Sequence, residues 1–201
     1  MALIPVREDG IISPIKITNK KVFNQEETGD NKDQHCWPPG TVLIAGSSML
    51  QGLQEKKLSV NGVKVKVRPN PGATVLDMKD HLNAYLRKKP SHLILHVGAN
   101  DSSSKEVSSD DIFDGLLDLK AYAESKVPGI TVTFSCPTIR FDNSVACIKL
   151  VFLRNRMKRA GQRIISNENI TLEHIGKKGL HLNQKGVARL AMNLRAYVRD
   201  L

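Results

Sequence analysis

The residue types that acyl transfer needs recur where this chain changes direction. Ser48 lies in Gly46-Ser47-Ser48-Met49-Leu50, directly after a short apolar run, where a strand is expected to turn into a helix. A hydroxyl at such a point is exposed, and a helix N-terminus lends partial positive charge to an oxyanion forming beside it. Asn100 follows Gly98 beyond another apolar run, and its amide can donate to the same oxyanion. Gly72, in Asn70-Pro71-Gly72-Ala73, can bring a bare backbone N–H close to a substrate. His181, in Gly179-Leu180-His181-Leu182-Asn183, precedes a helical stripe and is of the type that serves as general base. Each also has a plainer role: Ser47 or Ser48 as a helix cap, Asn100 in a turn, Gly72 in a type II turn, His181 as a surface imidazole. Order and spacing, not any single residue, carry the weight.

The elements that must position these residues follow from the apolar pattern. From Thr41 onward, short apolar runs alternate with helical stripes, the mark of an α/β fold with a mostly parallel sheet. Thr41–Ala45 reads as a buried strand, and Val63–Val67, alternating Val with Lys, as a half-exposed strand near a sheet edge. Leu93–Val97 and Ile130–Phe134 are two more strands, and Arg163–Ser166 is a short fifth. Thr74 with Asp77, and Ser108 with Asp111, have the spacing of helix N-caps. Behind them run the stripes Val75, Met78, Leu82, Tyr85 and Ile112, Leu116, Leu119, Ala123. A helix is expected from about Ser144 to Ala160, and the last one shows Val187, Leu190, Ala191, Leu194, Val198 and Leu201 on one face. In open sheets of this kind, functional groups gather beyond the carboxyl ends of the strands, where the three loops above lie. Residues 1–37 lack sustained periodicity, and Asn24–Gln34 holds no apolar side chain, so the expectation is a disordered polar leader followed by one domain over residues 38–201.

Taken in order, the blocks resemble the SGNH (GDSL-type) hydrolase superfamily, whose pattern is G-D-S-x-L, an isolated Gly, G-x-N-D, and D-x-x-H. Here they read Gly46-Ser47-Ser48-Met49-Leu50, Gly72, Gly98-Ala99-Asn100-Asp101, and Lys178-Gly179-Leu180-His181. The resemblance spans about residues 41–201. It implies a three-layer α/β/α sandwich with a mostly parallel sheet of about five strands, of the flavodoxin-like kind. It implies Ser48 as nucleophile, His181 as base, and an oxyanion hole of the Ser48 and Gly72 N–H groups and the Asn100 side chain. The segments Arg68–Thr74, His96–Asp101 and Gly179–Asn183 also look like esterase-like domains carried by some LINE-type retrotransposons.

Two positions depart from the pattern: Ser47 stands for the first-block Asp, and Lys178 for the triad acid. Replacing a triad acid by an amide costs roughly 10⁴ in rate in the serine protease precedent. A lysine aimed at the ring would oppose the imidazolium; aimed at solvent, it leaves a backbone carbonyl or Glu173 to orient His181. The expected activity is therefore hydrolysis of small acyl or acetyl esters through a covalent acyl-enzyme, with no metal or organic cofactor needed.

Charge points to an alternative, a catalytically degenerate module that binds nucleic acid. Residues 1–37 hold five basic and six acidic side chains, net −1, which leaves 38–201 with 25 basic and 14 acidic, net +11. Lys149, Arg154, Arg156, Lys158, Arg159 and Arg163 fall in one stretch with no acid among them, a candidate surface for phosphate contact without sequence reading. Its plain counterpart is a solvated helix face, and the scarcity of aromatic residues argues against base stacking. Cys36, Cys136 and Cys147 have no zinc spacing, and an odd number does not suit a disulfide framework. With no secretory signal and no apolar run long enough to span a bilayer, the expectation is an intracellular protein, cytoplasmic or nuclear, without membrane partners.

Overall fold

A computed structural model describes residues 36–201; the expected leader lies outside the described residues except for Cys36 and Trp37. Five strands, β1 (Val42–Gly46), β2 (Val65–Pro69), β3 (His92–His96), β4 (Thr131–Ser135) and β5 (Ile164–Ile165), form one sheet in the order β2-β1-β3-β4-β5. Every pairing is parallel. Among the described residues, the helices α1 (Glu55–Leu58), α2 (Val75–Leu86), α3 (Ser109–Lys126) and α4 (Ser144–Arg159) connect successive strands, and α5 (Gln184–Arg199) follows β5. The expected three-layer α/β architecture is the one observed.

Alternation along the strands divides the core into two faces. Leu43 and Ala45 of β1, with Leu93 and Leu95 of β3, pack among buried residues of α2, α3 and α4. Val42, Ile44, Ile94 and the β2 valines Val65 and Val67 pack on the other face against α1 and the α5 residues Leu190, Leu194 and Val198. Because both faces are covered, the central strands read as continuous apolar runs. The Val–Lys alternation of the second strand marks it correctly as an edge: β2 pairs with β1 alone, and Lys66 and Arg68 reach the carboxylate of Glu55 at 3.1 and 3.0 Å.

That strand begins two residues later than its pattern suggests. Asn61 (φ 52°) and Gly62 (φ 80°) form a tight turn that pairs Val60 with Val63 antiparallel, so Val63 is spent on a small hairpin. Both N-cap expectations hold in full. The Thr74 and Ser108 hydroxyls accept the backbone N–H groups of Asp77 and Asp111, whose carboxylates in turn accept the cap N–H groups at 2.9 and 2.8 Å. Such a box is worth about 1 kcal/mol per helix. Trp37 packs against the core, donates its N–H to the Lys88 carbonyl at 2.8 Å, and lies under the Arg68 guanidinium.

Among the described residues, Cys36 is exposed, Cys136 buried and Cys147 partly covered. Burial pushes the Cys136 thiol up to about 11, so it is an inert packing group. No described helix is long and apolar enough to cross a membrane, and no described group of three His, Cys, Asp or Glu residues has the arrangement of a metal site.

Candidate active site

The three loops identified in the sequence meet at the carboxyl edge of the sheet. After β1, the Ser47 N–H donates to the His96 carbonyl at 3.0 Å, which pins the Ser48 loop to the end of β3. Ser48 opens a single 3₁₀ turn, Ser48–Leu50, in which Met49 and Leu50 are buried. The sustained helix expected there does not form. Gly52 (φ +85°) turns the chain away, and α1 is only four residues long. A helix dipole therefore contributes little at Ser48. Neither Ser47 nor Ser48 uses its side chain as a cap, and the Ser48 hydroxyl makes no hydrogen bond to a described residue.

Asn70 ties the second loop to the first. Its N–H donates to the Gly46 carbonyl at 2.7 Å, its amide to the Arg68 carbonyl at 3.1 Å, and its side-chain oxygen accepts from the Tyr85 hydroxyl at 2.9 Å. Asn70 to Ala73 then form the type II turn weighed in the sequence, with Gly72 at φ +80° and the Ala73 N–H bonded to the Asn70 carbonyl at 3.1 Å. The turn spends neither the Gly72 N–H nor the space beside its Cα. Asn100 donates to the Ala73 carbonyl at 2.9 Å, leaving its second amide hydrogen uncommitted. Asp101 accepts the first N–H of α2, that of Val75, at 2.9 Å, while burial raises its pKa. Gly72 and Asn100 are thus held together through Ala73, and both are laced to the loop of Ser48 through Asn70 and Gly46.

His181 comes from the turn before α5. The bridge between Ile175 and Leu182, and the Gly176 N–H on the His181 carbonyl at 2.7 Å, close this turn. Asn183 caps α5 through the Gly186 N–H at 3.0 Å and donates to the Glu173 and Ile175 carbonyls. Ser48 and His181 line one small pocket of about 130 Å³ with Met49, Gln51, Leu182 and Val187. Among the described residues, no hydrogen bond joins the two side chains.

At the position of the missing acid, Lys178 is exposed and bonds to no described residue. Glu173, the carboxylate considered as a substitute, lies instead 3.9 Å from His174 Nδ1. A different carboxylate meets the His181 loop. Gly179 (φ +73°) turns its carbonyl to accept the N–H groups of Phe141 and Asp142 at 2.8 and 3.2 Å. A Cβ at Gly179 would lie 2.7 Å from the Asp142 nitrogen. The Arg140 guanidinium grips the Asp142 carboxylate with two bonds, 2.9 Å from Nε and 2.5 Å from the terminal nitrogen. Arg140 also donates to the Ala99 carbonyl at 3.2 Å and to the Ser103 hydroxyl, and so joins the Asn100 loop to the His181 loop. Arg140 first, and the nearby His181 ring with it, hold the Asp142 carboxyl below the usual range. Sequence reasoning missed Asp142 and Arg140. The one available signal was that they follow β4 on the same edge of the sheet as the other loops.

The six basic residues proposed for nucleic-acid contact are largely engaged. Lys149 donates to the Ser104 and Val107 carbonyls at 2.6 Å, Arg154 and Lys158 pair with Glu168, and Arg156 pairs with Asp110. Arg159 and Arg163 make no ion pair among the described residues.

No family model matches the sequence, and no curated protein is matched. Solved structures do match. The lipase/acylhydrolase from Enterococcus faecalis superimposes with a TM-score of 0.65 at 16% identity, over 80% of this chain and 95% of that one. A GDSL-like lipase from Bacteroides thetaiotaomicron gives 0.63 at 14% identity, over 80% and 88%. The psychrotrophic esterase EstA from Pseudoalteromonas sp. gives 0.61 at 14% identity, over 80% and 97%. The narrower likeness to retrotransposon-borne domains has no counterpart in these matches. The chain has the fold of the GDSL/SGNH lipases and acylhydrolases.

Proposed function

We propose that this protein is a serine ester hydrolase acting on small acyl or acetyl esters. The observation that carries the reading is that Ser48 and His181 line one small pocket while the Ser48 hydroxyl bonds to no other described residue. The Ser48 oxygen attacks the ester carbonyl carbon as His181 takes the hydroxyl proton. The oxyanion is met by the Ser48 and Gly72 N–H groups and the Asn100 amide. Collapse breaks the bond from carbon to the alcohol oxygen, and the His181 imidazolium returns its proton to the departing alkoxide. Water, deprotonated by His181, then cleaves the acyl-enzyme, releasing the acid and restoring Ser48.

In place of an acid at Lys178, Asp142 acts as the positioning residue for His181. The backbone bonds between Gly179, two residues before His181, and Phe141–Asp142 support this. Arg140 draws off part of the Asp142 charge, so the assistance is weaker than a dedicated triad acid gives. Hydrolysis of p-nitrophenyl acetate tests the reading. Wild-type turnover should exceed that of Ser48→Ala by roughly 10³-fold or more. Equal rates at background for both proteins would contradict it.

A further inference from the structure

A groove of about 540 Å³ runs between α1 and α5 from the edge of the Ser48–His181 pocket, and Val187 lines both. Its lining includes the partly covered Leu53 and Ala191 and the exposed Met192, Lys57 and Arg195. The periodicity of α5 placed Val187 and Ala191 on the core face. They are only partly covered because the four-residue α1 is too short to roof them.

We infer that this groove holds the alcohol arm of the ester, an extended aliphatic chain whose far end is anionic. The inference rests on the esterase reading above and adds its substrate class. Two observations orient it. First, the small pocket has room for roughly four water molecules, so it suits a short acyl group and nothing longer. Second, the leaving alkoxide must be met by the His181 proton, and His181 stands just ahead of α5, at whose start the groove opens. The alcohol therefore departs toward Val187. From there to Arg195 the helix rises about 12 Å, the reach of a medium-length alkyl chain. Lys57 and Arg195, unpaired among the described residues, match a carboxylate or phosphate at the end of that chain.

The test compares decyl acetate, ω-acetoxydecanoate and p-nitrophenyl acetate as substrates of the wild type, Ala191→Trp and the double variant Lys57→Glu/Arg195→Glu. Calorimetric binding of ω-acetoxydecanoate to Ser48→Ala, with and without the same changes, gives a readout free of chemistry. The expected result is a preference of roughly tenfold in kcat/KM for ω-acetoxydecanoate over decyl acetate, from two exposed charges. The double variant should erase that preference, and Ala191→Trp should depress both long substrates. Rates on the two long substrates are read relative to p-nitrophenyl acetate, whose alcohol is too short to reach Arg195. Turnover of p-nitrophenyl acetate with no preference, and no response to either variant, overturns the groove assignment and leaves the esterase standing. Binding to Ser48→Ala that the variants abolish, with no ester turned over by the wild type, overturns the esterase and leaves an anionic-lipid groove. Neither turnover nor binding overturns both.

Discussion

Acid should weaken this fold through one imidazole beneath the site. His96 ends β3, just before the Gly98–Asp101 loop, and its carbonyl anchors Ser47. Its ring is buried; Nδ1 lies 2.9 Å from the Ser135 hydroxyl and Nε2 has no partner among the described residues. Burial lowers its pKa from 6.5 to about 4, because a charged ring would need an acceptor at Nε2, and the Ser135 bond recovers only part of the cost. Between those values the unfolded chain binds a proton that the folded one refuses, so stability is full above about pH 6.5 and falls as the pH drops toward 4. At about 1.4 kcal/mol per pH unit, the whole step is worth about 3 kcal/mol, most of which has gone by about pH 4.5. Guanidinium unfolding of the wild type and His96→Leu at pH 7 and pH 4.5 isolates this contribution, since the carboxylates titrate alike in both. The variant should lose about 2–3 kcal/mol less on acidification, whatever its stability at pH 7. Parallel losses in the two proteins would refute the reasoning.

Other consequences are sharper in activity. Asn100→Ala should lower kcat on p-nitrophenyl acetate by roughly 10²- to 10³-fold, the usual cost of an oxyanion donor, with a far smaller effect on KM. Gly179→Ala, forced to φ +73° and into the Asp142 nitrogen, should cost about 1–2 kcal/mol in thermal unfolding and lower activity at least about tenfold as the His181 loop shifts. Asp142→Asn should reduce kcat/KM by about 10- to 100-fold, less than the roughly 10⁴ of a full triad acid because Arg140 shares the carboxylate. Lys178→Asp should raise it, and should restore much of the activity of Asp142→Asn.

What the sequence revealed, and what it hid, follows the range of the interactions. The buried strands, the edge position of β2 and both capping boxes are written in neighbouring residues, and they appear within a residue or two of where the pattern puts them. Ser48 follows an apolar run at a point where the strand is expected to turn into a helix. Gly52 overrides that pattern with a positive φ that periodicity does not register. Asp142 was illegible for a different reason. Its N–H meets the Gly179 carbonyl, two residues before His181, by docking of loops far apart in sequence. The basic run on α4 looked unopposed because its acids, Asp110 and Glu168, come from neighbouring elements. The groove beside α5 was hidden because a stripe of apolar residues looks the same whether a long helix or a short one lies over it.

The central claim is that Ser48 is a nucleophile activated by His181. Incubation with a fluorophosphonate, followed by intact mass and peptide mapping, tests it without reference to any natural ester. One phosphonyl adduct per chain is expected, located on Ser48, absent from Ser48→Ala and formed at least about a hundredfold more slowly in His181→Ala. An unmodified wild type, or labelling that proceeds equally in His181→Ala, would contradict it.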